Sequence, residues 1–207
     1  MRVVRYLSIA LSLLSASAVM ADDYPSKPIR LIVPFPPGGP NDIIARVVGQ
    51  RMSEITRQPV VIDNRSGQAG ALGTDAVAKS PPDGYTIAIT SGSSLAISPT
   101  LEKIAYDPAR DLAPVTLVAE VPEMLVVATN VPAKNMEELV ALCKAQPGKL
   151  NFASAGVGGL PHLAGQLFKL TARIDIVHVP YPGAAPALTD LLGPQVQLTW
   201  PDLPLHL

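Results

Sequence analysis

Short apolar runs alternate with amphipathic stretches along most of this chain. Leu31, Ile32 and Val33 form a continuous apolar run, the pattern of a strand covered on both faces. A Pro/Gly loop follows. Ile43, Ile44, Val47, Val48, Met52 and Ile55 then recur at helical spacing opposite Arg46, Gln50, Arg51 and Glu54. This predicts a helix over residues 42–55, with Asn41 or Asp42 placed to cap it. Residues 59–64 read as a second strand, and 67–73 as a glycine-rich loop into a helix through Ala78. Residues 80–84 read as a turn and 85–90 as a third strand. The order β-α-β-α-β predicts an open parallel sheet with helical crossovers.

The second half repeats the scheme after a change of character. Residues 112–120 and 123–129 are β-rich runs around Val121-Pro122 and read as a crossover between lobes. Asn135 is placed to cap a helix, with Glu138 three residues on as its capping-box partner. Residues 150–165 are again strand, glycine loop and helix, and Pro161 suits a first helical turn. A strand over 174–179, a helix over 184–192 and a strand over 195–200 complete a second lobe. The expected organisation is a first lobe over residues 22–110, then a crossover and second lobe over 111–207. A crossover out of the first lobe predicts another one back, and the pattern up to residue 207 holds none. The sequence is therefore expected to be C-terminally truncated, with uncovered apolar faces and a second lobe ending on an unsealed strand.

Composition narrows the partners. The chain has 207 residues, 48% of them hydrophobic and 16% charged, enough for one or two domains with real cores. A formal net charge of −1, with no basic stripe, argues against nucleic acid. Aromatics at 4% disfavour receptors that stack sugars or bases on rings. Arg2 and Arg5, the apolar stretch over residues 7–14 and Val19-Met20-Ala21 have the layout of a secretory signal peptide, residues 1–21, too short for a comfortable membrane span. Its removal takes away two arginines and no acid, and directs the chain to the periplasm. The single cysteine, Cys143, shares a helical face with Met136, Leu139 and Val140, so it reads as a core residue.

The candidate chemistry lies in the two glycine loops. Gly38 and Gly39, and later Gly156 and Gly158, let a ligand approach the backbone closely. Each loop opens a helix whose first N–H groups are free, an anion site that needs no Lys or Arg. In an open α/β sheet such loops lie beyond the carboxyl ends of the strands, together with the Thr90–Ser94 loop and its neutral donors. Other chemistries fail on their motifs. Neither loop carries Gly-Lys-Ser/Thr, Pro161 stands where a dinucleotide fingerprint needs glycine, and no Gly-x-Ser-x-Gly elbow occurs. His162, His178 and His206 lack metal-like spacing, and no cofactor is called for. His162 falls in a first helical turn, where the dipole favours neutral imidazole. Ser154 has no activating partner marked in the sequence.

Pro34-Phe35-Pro36-Pro37-Gly38-Gly39-Pro40-Asn41-Asp42 with Ala45-Arg46 resembles the first ligand loop of the Bug-type periplasmic solute receptors, the receptor component of tripartite tricarboxylate transporters. Val60–Arg65 with Gly67 and Gly70, then Ala78–Thr86, resemble that family's second strand and following turn. Ser154-Ala155-Gly156-Val157-Gly158 with His162-Leu163 resembles its second ligand loop, and Val179–Ala187 with Asp190–Gly193 extends the match over most of residues 24–204. Gly159 stands where the family often has Ser or Thr. The resemblance implies a two-lobed α/β Venus flytrap that grips a small carboxylate with loop N–H groups and ordered water. It also implies two integral membrane partners and no stable homo-oligomer. The ligand-binding set it implies is Phe35, Pro36, Pro37, Gly38, Gly39, Asp42, Thr90, Ser91, Ser93, Ser154, Ala155, Gly156, Gly158, His162 and Tyr181. A secreted hydrolase or transferase using the same cleft, and a sensor lobe serving a signalling partner, are the alternatives.

Overall fold

The computed structural model describes residues 24–201. The expected signal peptide and the last six residues lie outside that range. Two sheets form, one from each half of the chain.

The first is β2-β1-β3, all parallel, from β1 (Ile29–Val33), β2 (Val60–Asn64) and β3 (Thr86–Ala88). β1 is central, and Ile29, Leu31, Ile32 and Val33 are each at most 2% exposed. Burying each such aliphatic side chain is worth roughly 1.5–3 kcal/mol, which is why the unbroken apolar run takes the middle of the sheet. Leu31 and Val33 pack with Ala45 of α1 (Pro40–Thr56) and with Ile44 and Val48. α2 (Ala71–Ala78) covers the sheet at Pro34, so closely that a Cβ on Gly73 would lie 2.6 Å from the Pro34 backbone.

The apolar stripe of α1 needs correction. Ile43, Val47 and Ile55 are exposed, and the residues that meet the sheet include Ala45 and Gly49. A Cβ on Gly49 would come within 3.1 Å of Ile62, so small residues set the close approach; Ile44 and Val48 flank it against the sheet, while Ile43, Val47 and Ile55 are left outside. The helix also starts two residues earlier than expected. Its N-cap is Gly39, with no side-chain cap, and Pro40 opens the first turn.

The second sheet has the order β4-β7-β5-β6, from β4 (Val126–Val127), β5 (Asn151–Ser154), β6 (Val177–Pro180) and β7 (Leu198–Thr199). β5 pairs parallel with β6 and β7, while β4 runs antiparallel to β7. Two short helices follow β3, α3 (Ser98–Leu101) and α4 (Pro108–Asp111). α5 (Met136–Ala145) and α6 (Leu160–Ala172) build one core with Phe152, Ile176, Leu198 and Trp200. α7 (Ala184–Leu192) builds the other, with Ala153, Leu191 and Val196. Cys143 is fully buried in the first of these, as its spacing predicts, while Met136 is half exposed. Asn135 Oδ1 accepts from the Glu138 N–H at 2.8 Å, so the cap forms as read, while Glu138 reaches back to the Lys134 N–H, one residue before the N-cap that a capping box uses.

Two strand expectations fail. Residues 113–120 form no strand and are exposed, with Val115 at 88% and Leu117 at 72%. β-rich composition makes a strand only where a neighbour offers a ladder. The second lobe also does not end on an open edge. β7 is flanked by β5 and by β4, with Val126 opposite Thr199 and Val127 opposite Leu198. Among the described residues no helix is long and apolar enough to cross a membrane.

Candidate functional site

β1 delivers the first loop. Gly38 takes a left-handed φ of +81°, open to glycine at little cost. Asp42, 2% exposed in the first turn of α1, holds the loop in shape. Its Oδ2 accepts from the Gly38 N–H at 2.9 Å and from Arg46 Nε at 2.8 Å, and its Oδ1 from Arg46 Nη2 and Asn64 Nδ2. Asn64 also donates to the Phe35 carbonyl at 3.1 Å. Burial opposes ionisation of Asp42, but these hydrogen bonds outweigh it and hold the carboxyl below the usual carboxylate range. Both oxygens are engaged within the loop and its neighbours, so Asp42 shapes the backbone from beneath. The Phe35 ring lies over Gly70, where a Cβ would be 3.0 Å away.

The loop after β3 is largely self-satisfied. The Thr90 hydroxyl meets Ser94 Oγ, and Tyr106 donates to the Ser94 carbonyl. Ser91 Oγ is buried with no hydrogen-bond partner among the described residues. Ser93 is different: its Oγ accepts the Leu160 N–H at 3.2 Å, from the second lobe.

The second loop rests on a neutral network. Ser154 is 1% exposed, and its Oγ donates to the Gly156 carbonyl at 2.9 Å. A hydroxyl has one proton, so the 2.6 Å contact with His178 must be His178 Nε2–H donating to Ser154. His162 lies on the same face of the sheet, and the two imidazoles stack with centroids 4.1 Å apart. His162 Nδ1 accepts from the backbone N–H of Gly158 at 3.2 Å, which assigns the His162 proton to Nε2; the Gln166 side-chain nitrogen stands 3.2 Å from that atom, so this tautomer goes with the Gln166 amide turned to present its oxygen. Burial, then His162 and Lys169, pushes the pKa of His178 down to about 4, and burial lowers that of His162 as well. Residue spacing carries no sign of this pair, because β5, β6 and α6 meet only in the folded lobe.

The loops of the two lobes touch. A Cβ on Gly156 would lie 3.6 Å from the Ala69 backbone, and one on Gly183 would lie 2.7 Å from Pro36. Between them is a cleft of about 40 Å³, lined by Phe35, Pro36, Pro37, Gly39, Pro40, Asn41, Ala184 and Ala185. That is room for a water or two. The first turns of α1 and α7 therefore converge on one space, each with N–H groups that have no helical acceptor. The sequence pairs α1 with α6, which contributes no residue to the lining of this cleft. At α6 the Leu160 N–H is taken by Ser93, and Pro161 has none. Asn41, Ala184 and Ala185 line the cleft and stand outside the set expected from the sequence. Gly183-Ala184-Ala185-Pro186 reads as a helix start, but nothing local says what that start faces. Ala155 follows Ser154 in the second loop. Tyr181 lies beside α7, where its hydroxyl donates to Asp190 at 2.6 Å, and burial followed by that bond raises its pKa to about 12.

A family model described as the tripartite tricarboxylate transporter family receptor matches residues 44–207. The chain belongs to that family. BugT of Bordetella pertussis strain Tohama I is 43% identical over 191 residues, which cover 91% of this chain and 59% of BugT. An R. palustris protein solved with adipate is 38% identical with a TM-score of 0.85, over 88% of this chain and 61% of that one. MatC from Rhodopseudomonas palustris, solved with bound malate, is 30% identical with a TM-score of 0.81, over 86% and 61%. The chain thus spans about three-fifths of the length of these three proteins. The α/β architecture matches that of the periplasmic binding protein BugD, 35% identical with a TM-score of 0.81, over 86% of this chain and 60% of that one.

Proposed function

We propose that this chain carries the ligand-gripping part of a periplasmic receptor for a small carboxylic acid, serving a membrane transporter with two integral subunits. One observation carries the reading: the first turns of α1 and α7, with the Gly38-Gly39 loop, converge on a cleft whose lining holds no Lys or Arg. Such a space suits an anion held by backbone N–H groups and water rather than by a counter-charge. Phe35, Pro36 and Pro37 supply an apolar wall, fitting the carbon chain between the ends of a dicarboxylate. Ser93, Ser154 and His162 act behind the surface by fixing loops, and Asp42 does the same in the first lobe. At about 40 Å³ the cleft as it stands has room for a water or two, so capture of a dicarboxylate involves the lobes parting and closing again. The signal-peptide layout of residues 1–21 supports export to the periplasm.

Calorimetry with adipate and malate against their diamides tests this. Binding of an acid and loss of binding with its amide is the expected result. Equal affinity for acid and amide would remove carboxylate capture.

The Ser154–His178 contact is what would favour a hydrolase instead. Its polarity argues against one. His178 donates to Ser154 rather than accepting from it, and a base with a pKa of about 4 is too weak to activate a hydroxyl at neutral pH. Turnover of p-nitrophenyl esters that disappears in Ser154→Ala would favour the enzyme reading.

A further inference from the structure

We propose that neutral His162 is the positioning residue that sets the second ligand loop, with Ser154 and His178 as its support, and that protonating His162 releases the loop and weakens ligand capture. The inference rests on the carboxylate-receptor reading above, adding how that site is regulated.

Two hydrogen bonds fix the loop between β5 and α6. Ser154 Oγ holds the Gly156 carbonyl, and His162 Nδ1 holds the Gly158 N–H. Gly156 and Gly158 have φ of +122° and +78°, so the loop has glycine's freedom and needs these ties to keep one shape. The first tie depends on His178, whose Nε2–H leaves the Ser154 proton free to reach Gly156. The second depends on His162 being an acceptor. An imidazolium has no acceptor nitrogen, so a proton on Nδ1 would set two N–H groups against each other at 3.2 Å. The ring cannot take the charge comfortably in place. His178 stacks on its face, Phe152 from β5 lies beyond at 6.5 Å, and it stands in the first turn of α6, at the positive end of the dipole. Around the pair, β5 presents Phe152 and Ser154, and Trp200, the residue after β7, stands edge-on to Phe152. α6 presents Gln166 and Lys169, the latter paired with Asp175 at 3.5 Å. That lysine acts on His178 and adds to the bias against a second positive charge. Relief comes by moving His162 out, which frees Gly158 and, through the adjoining Leu160 N–H, disturbs the contact with Ser93 of the other lobe.

The test begins without ligand. Imidazole ¹⁵N spectra of the full chain, recorded from about pH 8 to about pH 4, should show both rings as Nε2–H tautomers at the alkaline end. The Gly156 and Gly158 amide signals should then shift with the same midpoint as His162. His162→Asn keeps an acceptor near the Nδ1 position but does not titrate, and should flatten that response. Glycine signals that ignore the His162 titration, or that still move in His162→Asn, would overturn the proposal. Adipate affinity is the second arm. It should fall by about tenfold or more on acidification across the His162 midpoint, and His162→Asn should bring the ratio of the two affinities close to one. Tighter binding at acid pH would make imidazolium a direct ligand group and also overturn the proposal. Failure to bind any acid at any pH would sink the receptor reading, while the spectra would still decide the loop mechanism.

Discussion

The two glycine loops are built alike and braced differently. Each leaves a buried parallel strand, turns through a positive-φ glycine, ends on a glycine N-cap without a side-chain cap, and enters a helix with proline in its first turn. Each also sits above a glycine that lets a helix press on the strand: Gly73 against Pro34, and Gly165 against Phe152, where a Cβ would lie 2.2 Å away. The braces differ in chemistry. The first loop is tied by an ionised carboxylate, Asp42, to Arg46, Asn64 and Gly38. The second is tied by Ser154, His178 and His162, all neutral. The same backbone device can therefore be made sensitive to pH in different ranges by what lies under it.

The largest effects should come from the glycines beneath. Gly73→Ala puts a methyl against the Pro34 backbone, which has nowhere to go, and should cost about 3 kcal/mol in denaturant unfolding. Gly165→Ala meets the Phe152 side chain, buried in the ring stack, and should cost a comparable or smaller amount, because a side chain yields more readily than a backbone. The reverse order would show that the second loop's foundation is the stiffer.

Breaking the braces is the next test. Asp42→Ala leaves the Gly38 N–H and Asn64 without their acceptor and should cost about 2 kcal/mol. Ser154→Ala strands the His178 Nε2–H and frees Gly156, and should cost about 1–2 kcal/mol. If hydrogen exchange at Gly156 and Gly158 is unaltered by Ser154→Ala, the second brace is not where the structure puts it.

Acid should release the braces in sequence. The unfolded chain takes up protons on histidine from about pH 6.5 downward, while native His178 resists until about 4. Stability should thus fall as pH drops through that window and level off below it. The Asp42 carboxyl is held below the usual carboxylate range, so its contribution persists until the pH falls through that range. The melting temperature of His178→Gln should show a shallower upper slope, the remainder coming from His162, whose pKa is also lowered by burial, and should keep the lower one. As the smallest effect, Asn135→Ala removes a cap remote from both loops, should cost about 1 kcal/mol, and should leave the pH profile unchanged. A changed profile would show that the braces are not local.

The sequence was informative wherever the signal was local. A run such as Leu31-Ile32-Val33 has one sensible place, the middle of a covered sheet. Asn135 with Glu138 specifies its own cap within four residues, and Gly38 announces a turn whatever surrounds it. Residues 184–192 read as a helix from their own pattern and form one at that span. What failed depended on neighbours distant in sequence. The apolar stripe of α1 gave the helix and half of its inner face, Ile44, Val48 and Met52, but not its centre, because Gly49 is chosen by the distance to Ile62 and Val60. Residues 112–120 had strand composition and no ladder to join. The last strand was expected to lie at an edge and was instead enclosed by β4, a pairing of residues some seventy positions apart. The site divides the same way. Both loops were legible because glycine, proline and helix starts are short-range features. The stacking of His162 on His178, the reach of Ser93 to Leu160, and the meeting of α7 with Pro36 were not. Those contacts arise only when parallel strands place their carboxyl ends side by side and two lobes close on each other, a geometry that no local stretch of residues encodes.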